Sequence, residues 1–147
     1  MKKTKQQHNI ALIYKRKGDY QKAISYLKKA IEISERYGDY HELAIKLLNL
    51  GDTYTQTKDF KQAEQNLTEG LKRILKVVDK YWEAHAYKYL GWLYRDKDDI
   101  KKARDYLTKA YNLFNSIGAK NEAQSAMFSL NTLPALDDIK EVPKKSK

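Results

Sequence analysis

The sequence predicts an all-α solenoid of three helix hairpins closed by one further C-terminal helix. Three observations predict it. The chain matches itself without a gap when shifted by 40 residues. Within each half-repeat, apolar residues recur at spacings of three and four, the mark of a helix face. Only 6 Gly and 2 Pro stand among 147 residues that are 41% apolar and 33% charged, so little interrupts long helices.

The repeat is dense. Tyr14, Tyr54 and Tyr94 fall in register, as do Asp19, Asp59 and Asp99. Ala23, Ala63 and Ala103 coincide, then Leu27, Leu67 and Leu107, then Ala30, Gly70 and Ala110. Ile10, Leu50 and Leu90 also match, each followed by a small residue, Ala11, Gly51 or Gly91. Three units result, at about 5–38, 41–78 and 81–118.

The third unit shows the logic of all three. From Tyr81 to Lys97, Ala84, Tyr87, Leu90, Gly91 and Tyr94 form one apolar face. Asp99 is placed to cap a second helix by accepting from its unpaired first-turn amides. That helix runs from Ile100 to about Ser116, with Ala103, Leu107, Ala110 and Phe114 on its stripe. Gly118 ends it by taking up a left-handed backbone. Asp19 and Asp59 are the matching caps and Gly38 a matching terminator. Gly51 and Gly91 lie where the first helix of a unit meets the second, and Ala63 and Ala103 near the start of that second helix. One hairpin cannot bury its own apolar stripe, so the units stack into a curved solenoid with first helices on the inner wall.

A fourth first helix spans about 119–132, with Ala123, Met127 and Leu130 at the expected offsets. Pro134 occupies the place of the repeat's tyrosine and stops it. This helix is expected to cap the last full repeat, giving a solenoid over 1–133. Residues 134–147 carry no periodicity and are expected to form a disordered basic tail. No cap precedes the first repeat, so its helix, bearing Ile10 and Ile13, is a candidate for self-association.

Leu90-Gly91-Trp92-Leu93-Tyr94, followed by Asp99-Ile100-Lys101-Lys102-Ala103, Leu107 and Ala110, resembles the tetratricopeptide repeat. The resemblance covers roughly residues 5 to 133 in three copies. It departs from the family in its period, 40 residues instead of about 34, in the missing closing proline, and in Ala11 where glycine is usual. The longer period is similar to that of kinesin-light-chain-like and bacterial peptide-sensing members. The resemblance implies a right-handed αα superhelix whose concave groove holds a partner's peptide or helix.

Helical phase then nominates the groove residues. In the first repeat they are Lys5, His8, Asn9, Leu12 and Arg16, with Lys15 beside them. In the second they are Ile45, Leu48, Asn49, Asp52 and Gln56. In the third they are His85, Lys88, Tyr89, Trp92 and Asp96, with Arg95 close by. Asn9 and Asn49 stand where long-helix members of the family use an asparagine on the bound peptide's backbone, a task suited to an amide that donates and accepts. Simple solvation of both is the competing reading, and Tyr89 breaks the series. The chaperone-type carboxylate clamp is not matched, because only Asn49 survives while His8, Leu12, His85 and Tyr89 fill its other positions. The cations Lys5, Lys15, Arg16, Lys88 and Arg95, with Trp92, would suit an acidic partner segment carrying one apolar anchor. Trp92 as core packing fits the sequence equally.

Other functions find less support. There is no cysteine, and the three histidines lie in separate repeats. His41-Glu42 lacks the second histidine of a zinc-protease motif, and no phosphate-binding glycine loop occurs. No enzymatic activity, metal or cofactor is expected. The net charge of +10 is spread along the chain, through 24 Lys and 5 Arg, and also reads as a solvated surface. Nucleic-acid (RNA) binding is the alternative from another class, given that charge and 17 aromatic residues. It is disfavoured because most tyrosines hold repeat-defining core positions and no nucleic-acid motif appears. Sensing of a small signalling peptide is a third reading, although the helix-turn-helix of such regulators is missing. With no apolar run of membrane-spanning length and no signal-like stretch after the basic start, a soluble cytoplasmic protein is the simplest expectation.

Overall fold

The computed structural model describes residues 2–135, with side-chain environments from residue 6 onward. Seven helices follow one another: α1 (Lys2–Arg16), α2 (Tyr20–Arg36), α3 (Tyr40–Gln56), α4 (Phe60–Val77), α5 (Lys80–Asp96), α6 (Ile100–Ser116) and α7 (Lys120–Asn131). The described residues contain no strand. Each odd-numbered helix packs most heavily on the even one after it, so α1–α2, α3–α4 and α5–α6 are the three hairpins and α7 closes the last. The seam between α4 and α5 is the thinnest between consecutive helices. No helix among the described residues is long and apolar enough to cross a membrane.

The joints repeat every 20 residues, half the period read from the sequence. Asp19, Asp39, Asp59, Asp79 and Asp99 each cap the following helix, their carboxylates accepting from the backbone N–H of Lys22, Glu42, Gln62, Trp82 and Lys102 at 3.0–3.3 Å. Ala119 breaks the ladder and leaves α7 without a side-chain cap. One residue before each position the backbone turns left-handed: Gly18, Gly38, Lys58, Val78, Asp98 and Gly118 all have φ between 56° and 82°. Val78 is the costly member, because a β-branched side chain is poorly tolerated there. Asp99→Ala lowers stability by about 1 kcal/mol through the lost cap. Urea denaturation checks this, and an unchanged midpoint with an unchanged slope would remove the cap from the fold's supports.

Close helix approach depends on missing side chains. A Cβ at Gly51 would stand 2.6 Å from Leu67 Cγ, and one at Gly91 2.6 Å from Leu107 Cγ. Gly70 reverses the arrangement, with α4 supplying the gap and Leu48 of α3 the knob. Ala23, Ala63, Ala103 and Ala110 have no exposed surface. Tyrosines fill the flanks: Tyr14 stacks on Tyr26 at 5.6 Å and Tyr94 on Tyr106 at 5.8 Å.

Candidate functional site

Because the hairpins stack, α3 touches α5 directly and the first helices form one inner wall. Residues 40 apart become neighbours across that wall. One row runs His8, Leu48, Lys88, Phe128; the next runs Asn9, Asn49, Tyr89, Ser129. Hydrogen bonds form rungs between successive first helices. Lys15 of α1 pairs with Asp52 of α3, and Tyr89 Oη of α5 donates to Asn49 Oδ1 of α3 at 3.3 Å. Trp92 Nε1 of α5 donates to Ser129 Oγ of α7 at 2.9 Å, and Tyr81 Oη donates to Glu122 Oε2 at 2.7 Å.

These rungs correct part of the expected groove. Ile45 packs with Ala44 and Ile74 beside Leu71 and Trp82, in the seam between repeats. Leu48 is wholly enclosed against Gly70. Asn49 is 3% exposed and its carbonyl is taken by Tyr89, so it is not a solvated amide. Asp52 is buried and held by Lys15 and Gln56. His85 sits among Tyr81, Trp82, Tyr89 and Phe114, with ring centroids 4.7–5.8 Å away. Tyr89 and Lys88 are buried with it. The reason is geometric: the side assigned to the groove by phase is covered by the second helix of the same hairpin at Ile45, Leu48 and His85, and by a neighbouring first helix at Asn49 and Asp52. Asn9, Arg16, Gln56 and Asp96 remain exposed, and His8, Leu12, Lys15, Trp92 and Arg95 half-buried. The Lys5 side chain and the expected tail over 136–147 lie outside the described residues.

Burial shapes the electrostatics. The His85 imidazole is pushed down to about 4, first by burial and then by the charge of Lys88, against opposing pulls from Glu122 and Asp79. His8 is also lowered to about 4, by burial and by Lys46 and Lys15, with Glu42 opposing. Burial depresses the Lys88 ammonium, Asp52 and Glu122 work against that, and Lys15 adds to it. The Tyr89 hydroxyl is raised by burial and by Asp52. A neutral imidazole and an un-ionised phenol are what such an interior favours.

Where the wall opens, Asp52, Thr55 and Gln56 of α3, Trp92, Arg95 and Asp96 of α5, and Ser125, Phe128 and Ser129 of α7 enclose a cleft of about 360 Å³. Phe128 is 71% exposed at its rim, and half-buried Trp92 lines the same cleft. A larger hollow of about 520 Å³ runs along α4 alone, from Lys61 to Glu69. With residues of one helix as its lining, it offers no enclosing wall. Thr55, Ser125, Phe128 and Ser129 were not among the expected site residues. The repeat register points to three of them, since Ser125, Phe128 and Ser129 stand 40 residues after His85, Lys88 and Tyr89. Among the described residues, no group of three or more His, Asp or Glu is placed to hold a metal ion.

Comparison with known proteins agrees with this architecture. The tetratricopeptide repeat model matches residues 7–76 and 48–116. The anaphase-promoting complex subunit CDC16 of Saccharomyces cerevisiae is 28% identical over 131 residues, 88% of this chain and 15% of that protein. The chain thus spans a small part of that relative's length. The crystal structure of BtubC (BKLC) from P. vanneervenii superposes with a TM-score of 0.66 at 20% identity, covering 98% of this chain and 68% of that one, which speaks to the fold alone. With three hairpins, their small-residue contacts and a family match across most of its length, the chain belongs to the tetratricopeptide repeat family.

Proposed function

We propose that the chain is a non-catalytic protein-interaction module that holds a partner's peptide or helix against its inner wall. The observation that carries this reading is the cleft between α3, α5 and α7. It offers an apolar pair, Trp92 and Phe128, beside the exposed polar side chains of Gln56, Asp96 and Ser125. An aromatic or aliphatic partner side chain fits between the two rings, and the rim supplies hydrogen bonds to a peptide backbone. The net charge of +10 favours an acidic partner and speeds its encounter. The similarity to a subunit of the anaphase-promoting complex is consistent with a scaffolding role.

Nucleic acid is served less well. Tyr54, Tyr89 and Tyr94 are buried, and lysines already cover other rings, as Lys22 does Tyr14 and Lys109 does Tyr87 and Tyr106. Few faces remain for base stacking.

The test is capture from nuclease-treated lysate by the native chain and by an Arg95→Glu, Phe128→Ser variant with an unchanged circular dichroism spectrum. Both residues lie outside the buried core, so the fold should survive. The expected result is a protein retained by the native chain and reduced at least about tenfold by the variant, the scale of a lost interface anchor. Equal retention of the same proteins by both would move the working surface away from the cleft. Capture from a parallel untreated lysate that vanishes entirely after nuclease treatment would favour the nucleic-acid reading.

A further inference from the structure

The inner wall contains a charge that its own residues leave unanswered. Lys88 is 8% exposed, yet among the described residues no carboxylate lies within ion-pair distance of its ammonium and no hydrogen bond holds it. Its Nζ instead stands 4.9 Å from the Trp92 ring centroid and 5.8 Å from those of Tyr89 and Phe114. The nearby acids are engaged elsewhere. Asp52 is bound by Lys15 and Gln56, and Glu122 accepts from Tyr81. Lys15 also lies 5.7 Å from the Tyr89 centroid. Two ammonium groups therefore flank one ring, with one carboxylate between them. A second unsatisfied donor stands at the hydroxyl end of that ring, where Asn49 Nδ2 is buried without a partner.

A buried cation is costly unless paired, and aromatic faces offset only part of that cost. Most of the desolvation of Lys88 is already incurred in the folded chain, so an arriving carboxylate gains the pairing with little further water to strip from the lysine. The ring nearest the ammonium, Trp92, also lines the open cleft, and the Lys88 Nζ is not among the fully enclosed polar atoms, so a carboxylate beside Trp92 has surface to approach.

We propose that Lys88 is a carboxylate-binding residue, taking an Asp or Glu side chain of a partner peptide whose neighbouring apolar side chain lies between Trp92 and Phe128. This rests on the groove reading and adds its specificity. Position 88 is not one of the five clamp positions of the chaperone-type domains, which here hold His8, Leu12, Asn49, His85 and Tyr89.

The test uses a random 12-residue peptide library displayed with its C-termini fused to a coat protein, so that side chains alone supply carboxylates. The full chain, Lys88→Met and the Arg95→Glu, Phe128→Ser variant are each panned against it. Native binders are expected to share one Asp or Glu at a fixed distance from an aromatic or aliphatic residue. Lys88→Met should lose that acidic preference and bind the native-selected peptides at least tenfold more weakly. Replacing the peptide's acid by its amide should cost the native chain as much and cost Lys88→Met nothing further. Lys88→Met should also melt at or above the native temperature, because methionine removes an unpaired buried charge. A native consensus without an acid, an undiminished affinity of Lys88→Met, or a melting temperature well below native overturns the assignment and leaves the groove reading standing. Native-selected peptides that bind the Arg95→Glu, Phe128→Ser variant equally well, or a library that yields no binder, overturn both.

Discussion

Leu107→Ala lowers the stability of the solenoid by about 2–5 kcal/mol, the range for a large core side chain replaced by a small one. Leu107 has no exposed surface and fills the space above Gly91, where an added Cβ would come within 2.6 Å of its Cγ and 2.9 Å of its Cδ2. The same geometry makes Gly91→Ala unfavourable. Alanine gains roughly 0.5–1 kcal/mol of helix propensity over glycine, while overpacking costs about 1–3 kcal/mol. A net loss of about 1–2 kcal/mol is expected by combining these ranges. The branch point of Leu107, close to its backbone, cannot swing aside as a flexible tip would. Once Leu107 is alanine the side-chain obstruction is gone and only the backbone N of residue 107 stays close, at 3.3 Å, so Gly91→Ala should then cost little or nothing. Urea denaturation of the native, two single and one double variant measures the coupling. Additive effects would mean that the two residues do not press on each other.

Between pH 6.5 and 4 the fold is expected to lose about 3 kcal/mol through His85 alone. The sign follows from where the proton binds. In the unfolded chain the imidazole takes it up near 6.5; in the folded chain it resists until about 4. Over that interval the unfolded state binds more protons, so acidification favours unfolding. Above pH 6.5 neither state is protonated there, and this contribution is fully present. The charged groups acting on the ring are Lys88, Glu122 and Asp79, and its walls are Tyr81, Trp82, Tyr89 and Phe114. His85→Leu should therefore flatten most of the decline, as read from denaturation midpoints at pH 7, 5.5 and 4.5. His8 is shifted the same way, but it is only half-buried, so water screens more of its effect. Parallel stability curves for the native chain and His85→Leu would show that the ring accepts its proton without strain.

The 40-residue register, the hairpins and the caps at Asp19, Asp59 and Asp99 were legible because each rests on a residue type that only one local structure favours. The half-register was harder to see. Asp39 and Asp79 cap first helices, whereas the periodic aspartates drew the eye to second helices. Lys58, Val78 and Asp98 turn left-handed without glycine, and of these only the aspartate belongs to a residue type that favours that region. At the site, helical phase told which way a side chain leaves its own helix. It carries no measure of how near the neighbouring helices come, and that distance decides whether Leu48, Asn49 and His85 face a partner or the interior. Phe128 lies outside the expected set because the pattern of α7 marks it as a lid on the core, although the helix also extends the row that begins at His8.

Val78 has a mechanical consequence. It occupies the left-handed joint between α4 and α5 at a cost of about 1–2 kcal/mol for an L-residue, and it stands exposed at the thinnest seam of the stack. Asp52 and Trp92, facing sides of the cleft, belong to the hairpins that this joint connects. A load that spreads the inner wall there must also part Asn49 from Tyr89 and His41 from Asp79, bonds that cross between the same two hairpins, so the strained joint is a coil that carries its own straps.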